Sequence, residues 1–374
     1  FVACYRPDCG GDGMEHRNST SVTGGSFGGD GTRGFATAAH EYFHSWNVKR
    51  IRPQGIEPFA YDRANMTDGL WIAEGFTQYY GPLMEERAGV VPAANIIRTV
   101  GATINNVANS PGRLYFGPIG MSQQAPFRDG AAAADAPNPN TFISYYTYGA
   151  AIAIALDFSL RERGKSLDDF MRTMWLDFGK PEIAYSMQDA RHALIQTSGD
   201  SAWATDFWRR YVEGHDLPDY EPLLARAGIL LRKSAPGQAW IGGFLGAGGG
   251  RGGRGGRGGR GGAASATAAE SPARVAFAPA GTPLYDAGLD VGDVIETLDG
   301  KPVATPADVD QAVAAHHPGD HVPVTWTGAA GERNGTIVVA ENPALQAVLF
   351  EDAGRTPTAE QLAFRNQWLA SKAK

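Results

Sequence analysis

The chain is 374 residues long and carries 33 Lys+Arg against 40 Asp+Glu, a formal net charge of −7. With 43% hydrophobic and 20% charged residues it is composed like a folded protein of more than one domain, which excludes a wholly disordered chain. No run of about 18 apolar residues occurs, so no segment is expected to cross a membrane as a helix, and the acidic balance argues against nucleic acid as a partner.

The chain opens on Phe1, within what reads as a strand or loop over 1–5, and is expected to be a fragment or a processed product. Cys4 and Cys9 flank Pro7. They read either as a small disulfide loop, which would place the chain in an oxidising compartment (periplasmic or secreted), or as two unrelated thiols. Gly-rich and polar sequence runs to 34. Helical patterning then covers 35–46 and has stopped by Pro53, because the residue before a proline is pushed out of the helical region. A second helix is expected from about 68, carrying Leu70, Trp71, Ala73, Glu74 and Tyr80. Further helices are expected over 148–163, with Ala150, Ile152, Ile154, Leu156 and Leu160 inward, and over 166–177, 186–198 and 202–212.

From 231 the pattern changes. Short β-like runs at 275–277, 294–298, 322–326 and 336–339, separated by turn residues such as Asp299-Gly300, predict a small β-rich domain over 231–342. The tail, 343–374, ends in an amphipathic helix on Leu362, Trp368 and Leu369. The fold class is therefore α+β: a mainly helical domain over 1–230, the β-rich domain, and the tail. Of the 49 glycines, 14 fall between 242 and 262, where Arg251, Arg254, Arg257 and Arg260 are each followed by two of them. Such a tract cannot bury a core, so 246–262 reads as a solvated, flexible loop. An RNA contact is the other reading, and against it stands the lack of any aromatic residue in the tract to stack on bases.

The sharpest signal is His40-Glu41-Tyr42-Phe43-His44. Residues four apart lie on one helix face, so both imidazoles can reach one Zn²⁺, while Glu41 is set beside the attacking water rather than on the metal. Phe35, Tyr42, Phe43 and Trp46 around them imply a helix packed inside the protein. Glu74 follows His44 by 30 residues in an otherwise apolar helical stretch, where a carboxylate is costly unless paired or metal-bound. Two His and one Glu, leaving a position open, make a catalytic rather than a structural zinc site, one ion per chain.

The run from His40 to Pro53, with Trp71-Ile72-Ala73-Glu74-Gly75-Phe76 after it, resembles the glycyl aminopeptidase family: thermolysin-like zinc peptidases (gluzincins) with a C-terminal PDZ domain. The resemblance extends over nearly the whole chain. It implies that Asp12-Gly13-Met14-Glu15-His16 corresponds to the G-x-M-E-N loop, whose Glu binds the substrate's free α-amine, which puts that role on Glu15. It departs at Asp12 and His16. It also implies that Tyr146 in Tyr145-Tyr146-Thr147-Tyr148-Gly149 donates to the developing oxyanion; Tyr148 stands where Lys is usual, which leaves Tyr145 and Tyr148 as rivals. Gln78 stands where many gluzincins carry an acid, so a group orienting a histidine ligand must come from elsewhere or from the Gln78 amide.

Asp286-Ala287-Gly288-Leu289 through Ile295, with Asp299-Gly300, resembles the core of bacterial PDZ domains, which accept a peptide as an added strand. Leu289, Val294 and Ile295 should face its core, and its carboxylate-binding loop should lie near 240–245. The family's N-terminal β-domain is expected to be absent. The resulting expectation is a zinc aminopeptidase that acts on peptides with a free N-terminus, small residues such as Gly or Ala preferred. An endopeptidase of the same chemistry and a non-enzymatic PDZ peptide-binding module are the alternatives.

Overall fold

The computed structural model describes residues 2–6, 12–24, 35–128, 139–245 and 272–371. Cys9 and the 246–262 tract lie outside the described residues, and with them the Cys4–Cys9 pairing and the expected loop.

Three short strands open the chain: β1 (Val2–Tyr5), β2 (Asp12–Glu15) and β3 (Thr20–Gly24). β3 lies in the middle, parallel to β1 and antiparallel to β2. β2 and β3 rest against α1 (Phe35–Phe43), whose chain goes on as turns to Arg50. Burial along α1 reverses what its aromatics suggest. Phe35, Tyr42 and Trp46 are 44%, 54% and 40% exposed, whereas His40, Glu41 and His44 are 5%, 1% and 0% exposed. The helix turns its polar edge onto the next helix, where those groups meet one another, and leaves Tyr42 stacked edge-on against Trp46 at the surface.

The helix expected from 68 is two: α2 (Leu70–Ala73) and α3 (Gly75–Arg87), with Glu74 at the break. α4 (Ala93–Ala108), α5 (Pro118–Gln123) and α6 (Ala125–Arg128) follow, then the central α7 (Tyr145–Arg161), buried at every residue from Tyr148 to Arg161. Ser144 caps α7, its hydroxyl accepting from the Tyr146 N–H at 3.3 Å. α3 crosses α7 at two glycines. A Cβ on Gly149 would fall 2.1 Å from the Trp71 carbonyl oxygen, and one on Gly75 would fall 2.4 Å from the Gly149 Cα. Gly149→Ala should therefore force α2–α3 away from α7 and cost about 1–3 kcal/mol, read as a lowered denaturation midpoint. A midpoint within error of the parent's would show that the crossing is looser than this.

α8 (Leu167–Met174), α9 (Met187–Ser198) and α10 (Ser201–Phe207) start at the capping side chains of Ser166, Ser186 and Asp200. α8 and α10 each continue as a wider π turn, over 175–179 and 208–213, which accounts for the lengths read from sequence. α11 (Tyr220–Ala225) closes the helical region.

Two antiparallel pairings then lead into and out of the β-rich region. β4 (Ile229–Lys233) pairs with β13 (Leu345–Leu349), and β5 (Ala239–Trp240) with β12 (Ala340–Glu341). Between them lie β6 (Phe244–Leu245), β7 (Val275–Phe277), α12 (Pro283–Asp286), β8 (Val294–Leu298), β9 (Lys301–Pro302), α13 (Pro306–Val313), β10 (His321–Gly328) and β11 (Gly331–Val338). β6 and β7, which bracket the Arg/Gly tract, pair with each other, and β10 sits between β8 and β11. Asp299 and Gly300 both take positive φ, 52° and 70°, in the tight turn joining β8 to β9, the conformation an Asp-Gly pair favours. Leu289 and Ile295 are in this region's own core with Ile241, Leu284, Trp326 and Ile337, and Val294 is half-buried.

The tail is built into the helical body. β13 lies on α4, where a Cβ on Gly101 would fall 2.5 Å from the Ala347 nitrogen. α14 (Ala359–Leu369) opens with a Thr358/Gln361 capping box and buries Trp368 completely. Trp368 donates from its indole to the Tyr79 hydroxyl at 2.7 Å, and its carbonyl accepts from Arg87 Nε and Nη2 at 3.1 and 2.9 Å. The body meets the β-rich region a second time at Asn140, which donates to the Ala278 carbonyl and accepts from the Ala280 N–H.

Candidate metal centre and substrate cleft

One turn of α1 carries His40 and His44 to the same side, and the break before α3 brings Glu74 to meet them. Nε2 of His40 lies 3.1 Å from Nε2 of His44, and Oε2 of Glu74 lies 3.3 Å from the first and 3.1 Å from the second. Ligands about 2.0–2.1 Å from a tetrahedral Zn²⁺ stand about 3.3–3.4 Å apart, so this nearly equilateral triangle of N, N and O donors fits such an ion. The donor set is that of a site with an open position. On the outer side, Nδ1 of His44 donates to the Asn47 carbonyl oxygen at 2.6 Å. That bond puts the ring proton on Nδ1 and turns the Nε2 lone pair inward. Gln78 makes no side-chain hydrogen bond among the described residues, so the orienting group for His44 comes from elsewhere, from the turn that follows it.

Glu41 points to the β2 side. Its carboxylate lies so close to that strand that a Cβ on Gly13 would fall 2.2 Å from Oε1. Only a glycine lets the strand backbone approach this far. Two residues on, Glu15 faces the same space: carboxylate oxygens of Glu15 and Glu41 and a ring nitrogen of His44 lie within 4.8 Å of one another. Lys49 reaches Glu15 with Nζ 3.3 Å from Oε1. Burial pushes the Glu15 carboxyl up, but His44, Lys49 and its own backbone N–H together outweigh burial and the neighbouring Glu74, and it ends below its ordinary pKa.

Of the three candidate tyrosines, Tyr146 lies with its ring parallel to that of His40, centroids 6.1 Å apart. Tyr145 is buried and stacks on Tyr146 at 5.0 Å. Tyr148 points into the core, its hydroxyl pushed up to about 12 by burial, and its charged neighbours are Arg113 and Asp216 rather than any group of the cluster. The structure thus brings His40, His44, Glu74, Glu41, Glu15 and Tyr146 to one place. Sequence reading passed over Gly13, Asn47 and Lys49. Asn47 alone carried a signal, as an amide among Trp46, Val48 and Ile51, a polar group that is costly to bury unless it is hydrogen-bonded.

Residues 33–152 match the model of the M61 glycyl aminopeptidase family, and residues 279–327 match that of the PDZ domain. Among solved structures, an aminopeptidase N family protein from Idiomarina loihiensis superposes with a TM-score of 0.78 at 22% identity, over 99% of this chain and 62% of its own. The chain therefore spans less than two thirds of that relative. A serine endoprotease from Yersinia pestis aligns over only 18% of this chain and 25% of its own, at 26% identity and a TM-score of 0.18. No curated protein matches. The fold and the matched segments define a peptidase domain joined to a PDZ domain. Within the peptidase domain, the segment 33–152 is the part that matches the M61 glycyl aminopeptidase family.

Proposed function

We propose that this chain is the catalytic and PDZ portion of a zinc aminopeptidase that removes N-terminal residues from peptides. His40, His44 and Glu74 would hold the ion, which when bound supplies Lewis acidity toward a water and the scissile carbonyl. Glu41 takes the proton from the attacking water and delivers it to the leaving amine. Tyr146 donates to the oxygen on which negative charge develops. Glu15, ionised, binds the substrate's α-ammonium.

One observation carries the exopeptidase reading: the Glu15 carboxylate lies within 4.8 Å of the Glu41 carboxylate and the His44 ring. In any peptide the α-nitrogen sits about 2.5 Å from the carbonyl carbon of its own residue, two bonds away. An acid this near the general base therefore meets the amine of the residue being cleaved off. An endopeptidase would place an uncharged amide there and leave the carboxylate without a cation from the substrate. The preference for a small N-terminal residue rests on the family resemblance alone.

Glycyl- and alanyl-p-nitroanilide, tested beside their N-acetylated forms, separate these readings. Only the free-amine substrates should turn over. Glu15→Gln should raise their KM by about tenfold to a hundredfold, the worth of a hydrogen bond to a charged group. Hydrolysis of the acetylated substrates at comparable rates would sink the aminopeptidase reading in favour of an endopeptidase.

A further inference from the structure

The helix expected from about 68 through Tyr80 is interrupted at Glu74, and a side chain from another segment enters it there. On either side the ladder is intact: the Glu74 N–H donates to the Leu70 carbonyl at 2.7 Å, and the Gln78 N–H to the Glu74 carbonyl at 2.7 Å. Between them the side-chain amide of Asn47, 25 residues earlier in sequence and fully buried, enters the helix. Its Nδ2 donates to the Ile72 carbonyl at 2.9 Å and the Ala73 carbonyl at 3.2 Å, and lies 3.2 Å from the Thr77 hydroxyl oxygen. A side chain wedged among helical carbonyls is a recognised cause of a local break. The two carbonyls it holds belong to the residues immediately before Glu74.

The same residue also serves the other helix, since its backbone carbonyl receives Nδ1 of His44. Asn47 is thus bonded on one side to a histidine of the cluster and on the other to the turn that presents the carboxylate. It touches neither the substrate space nor the donor atoms themselves. We infer that Asn47 is the positioning residue that holds Glu74 in register with His40 and His44. The inference rests on reading the cluster as a zinc site. Substitution should cost metal affinity first and activity only through it. Groups that orient metal ligands typically contribute tenfold to a hundredfold in affinity.

The test is the zinc affinity of the metal-free chain, measured by competition with a chromophoric chelator, together with its melting temperature. Asn47→Ala should weaken zinc binding about tenfold to a hundredfold. Asn47→Ser, which keeps one short donor, should lose less. Thr77→Val is the control for a merely structural effect. It removes a buried hydroxyl that donates to the same Ala73 carbonyl at 2.6 Å and is itself one contact of the Asn47 amide, yet leaves that amide's bonds to the Ile72 and Ala73 carbonyls in place. It should lower the melting temperature while keeping affinity within about threefold, well short of the loss expected for an orienting group. If affinity falls in step with melting temperature across all three variants, Asn47 only stabilises the fold and the inference is overturned. Asn47→Ala binding zinc as tightly as the parent overturns it as well. Should Asn47→Ala fail to fold, the Ser and Val variants make the same comparison. A parent chain that binds no zinc would overturn the metal reading along with this inference, whereas tight binding by parent and variant alike fails the inference alone.

Discussion

Glu41→Gln should abolish hydrolysis, with a loss on the order of 10²–10⁴ in kcat, and leave zinc content unchanged. Gln keeps the shape of the side chain and loses its capacity to take a proton. Glu41 is 1% exposed and outside the His40–His44–Glu74 triangle, so on the proposed zinc reading the substitution removes a base and not a ligand. The backbone at Gly13 hems the carboxylate in on one side, which leaves little room for a water to take over its position. The measurement is turnover of alanyl-p-nitroanilide beside metal content by mass spectrometry. Residual turnover within tenfold of the parent would assign the base elsewhere. Loss of zinc with loss of turnover would make Glu41 a ligand, which its place beside β2 argues against.

Trp368→Ala should be among the most destabilising single changes in the chain, at about 3–5 kcal/mol, even though it lies six residues from the last one. The indole is fully buried, packs edge-on to Phe158 at 5.1 Å and donates to the Tyr79 hydroxyl. That hydroxyl in turn donates to Asp157 at 2.6 Å, whose carboxylate lies 3.0 Å from Arg161 Nε. Removing the ring therefore opens a cavity and also withdraws a donor from a buried charged network shared by α3 and α7. Chemical denaturation of parent and variant reads the difference directly. A change under about 1 kcal/mol would mean that α14 is dispensable to the fold.

The parts of this molecule that declare themselves in sequence are those whose geometry is local. His40, Glu41 and His44 are fixed by helical spacing. The Ser166 and Ser186 caps mark helix starts, and Asp299-Gly300 marks a turn, because each acts within four residues of itself. Glu74 was legible as a carboxylate in apolar company. Asn47 acts on residues 25 and 30 positions away through an amide whose neighbours no periodicity specifies. The burial of α1 misled for a related reason: aromatic content marks a surface that meets something, and Phe35, Tyr42 and Trp46 border open space rather than the core. Helix α4 escaped notice because no motif lies on it, although Ile96, Val100, Ile104 and Val107 follow one face. The amphipathic pattern of α14 was readable, while its docking site on Tyr79 and Arg87, more than 280 positions upstream, was not.

Lys233 and Leu345 face each other across one rung of the β4–β13 pair, with the whole PDZ region strung between them. A module attached at one end of a chain swings on a single strand of linker; this one is carried on a two-stranded ribbon. The second pairing, β5 with β12, lengthens the ribbon, and the Asn140 contact to Ala278 and Ala280 adds a lateral stay beside the segment that leads into Tyr146. The arrangement also makes the region a cassette. Because its entry and exit are neighbours, a short turn between 233 and 345 would close the body without it, leaving β13 and α14 where the helical core needs them.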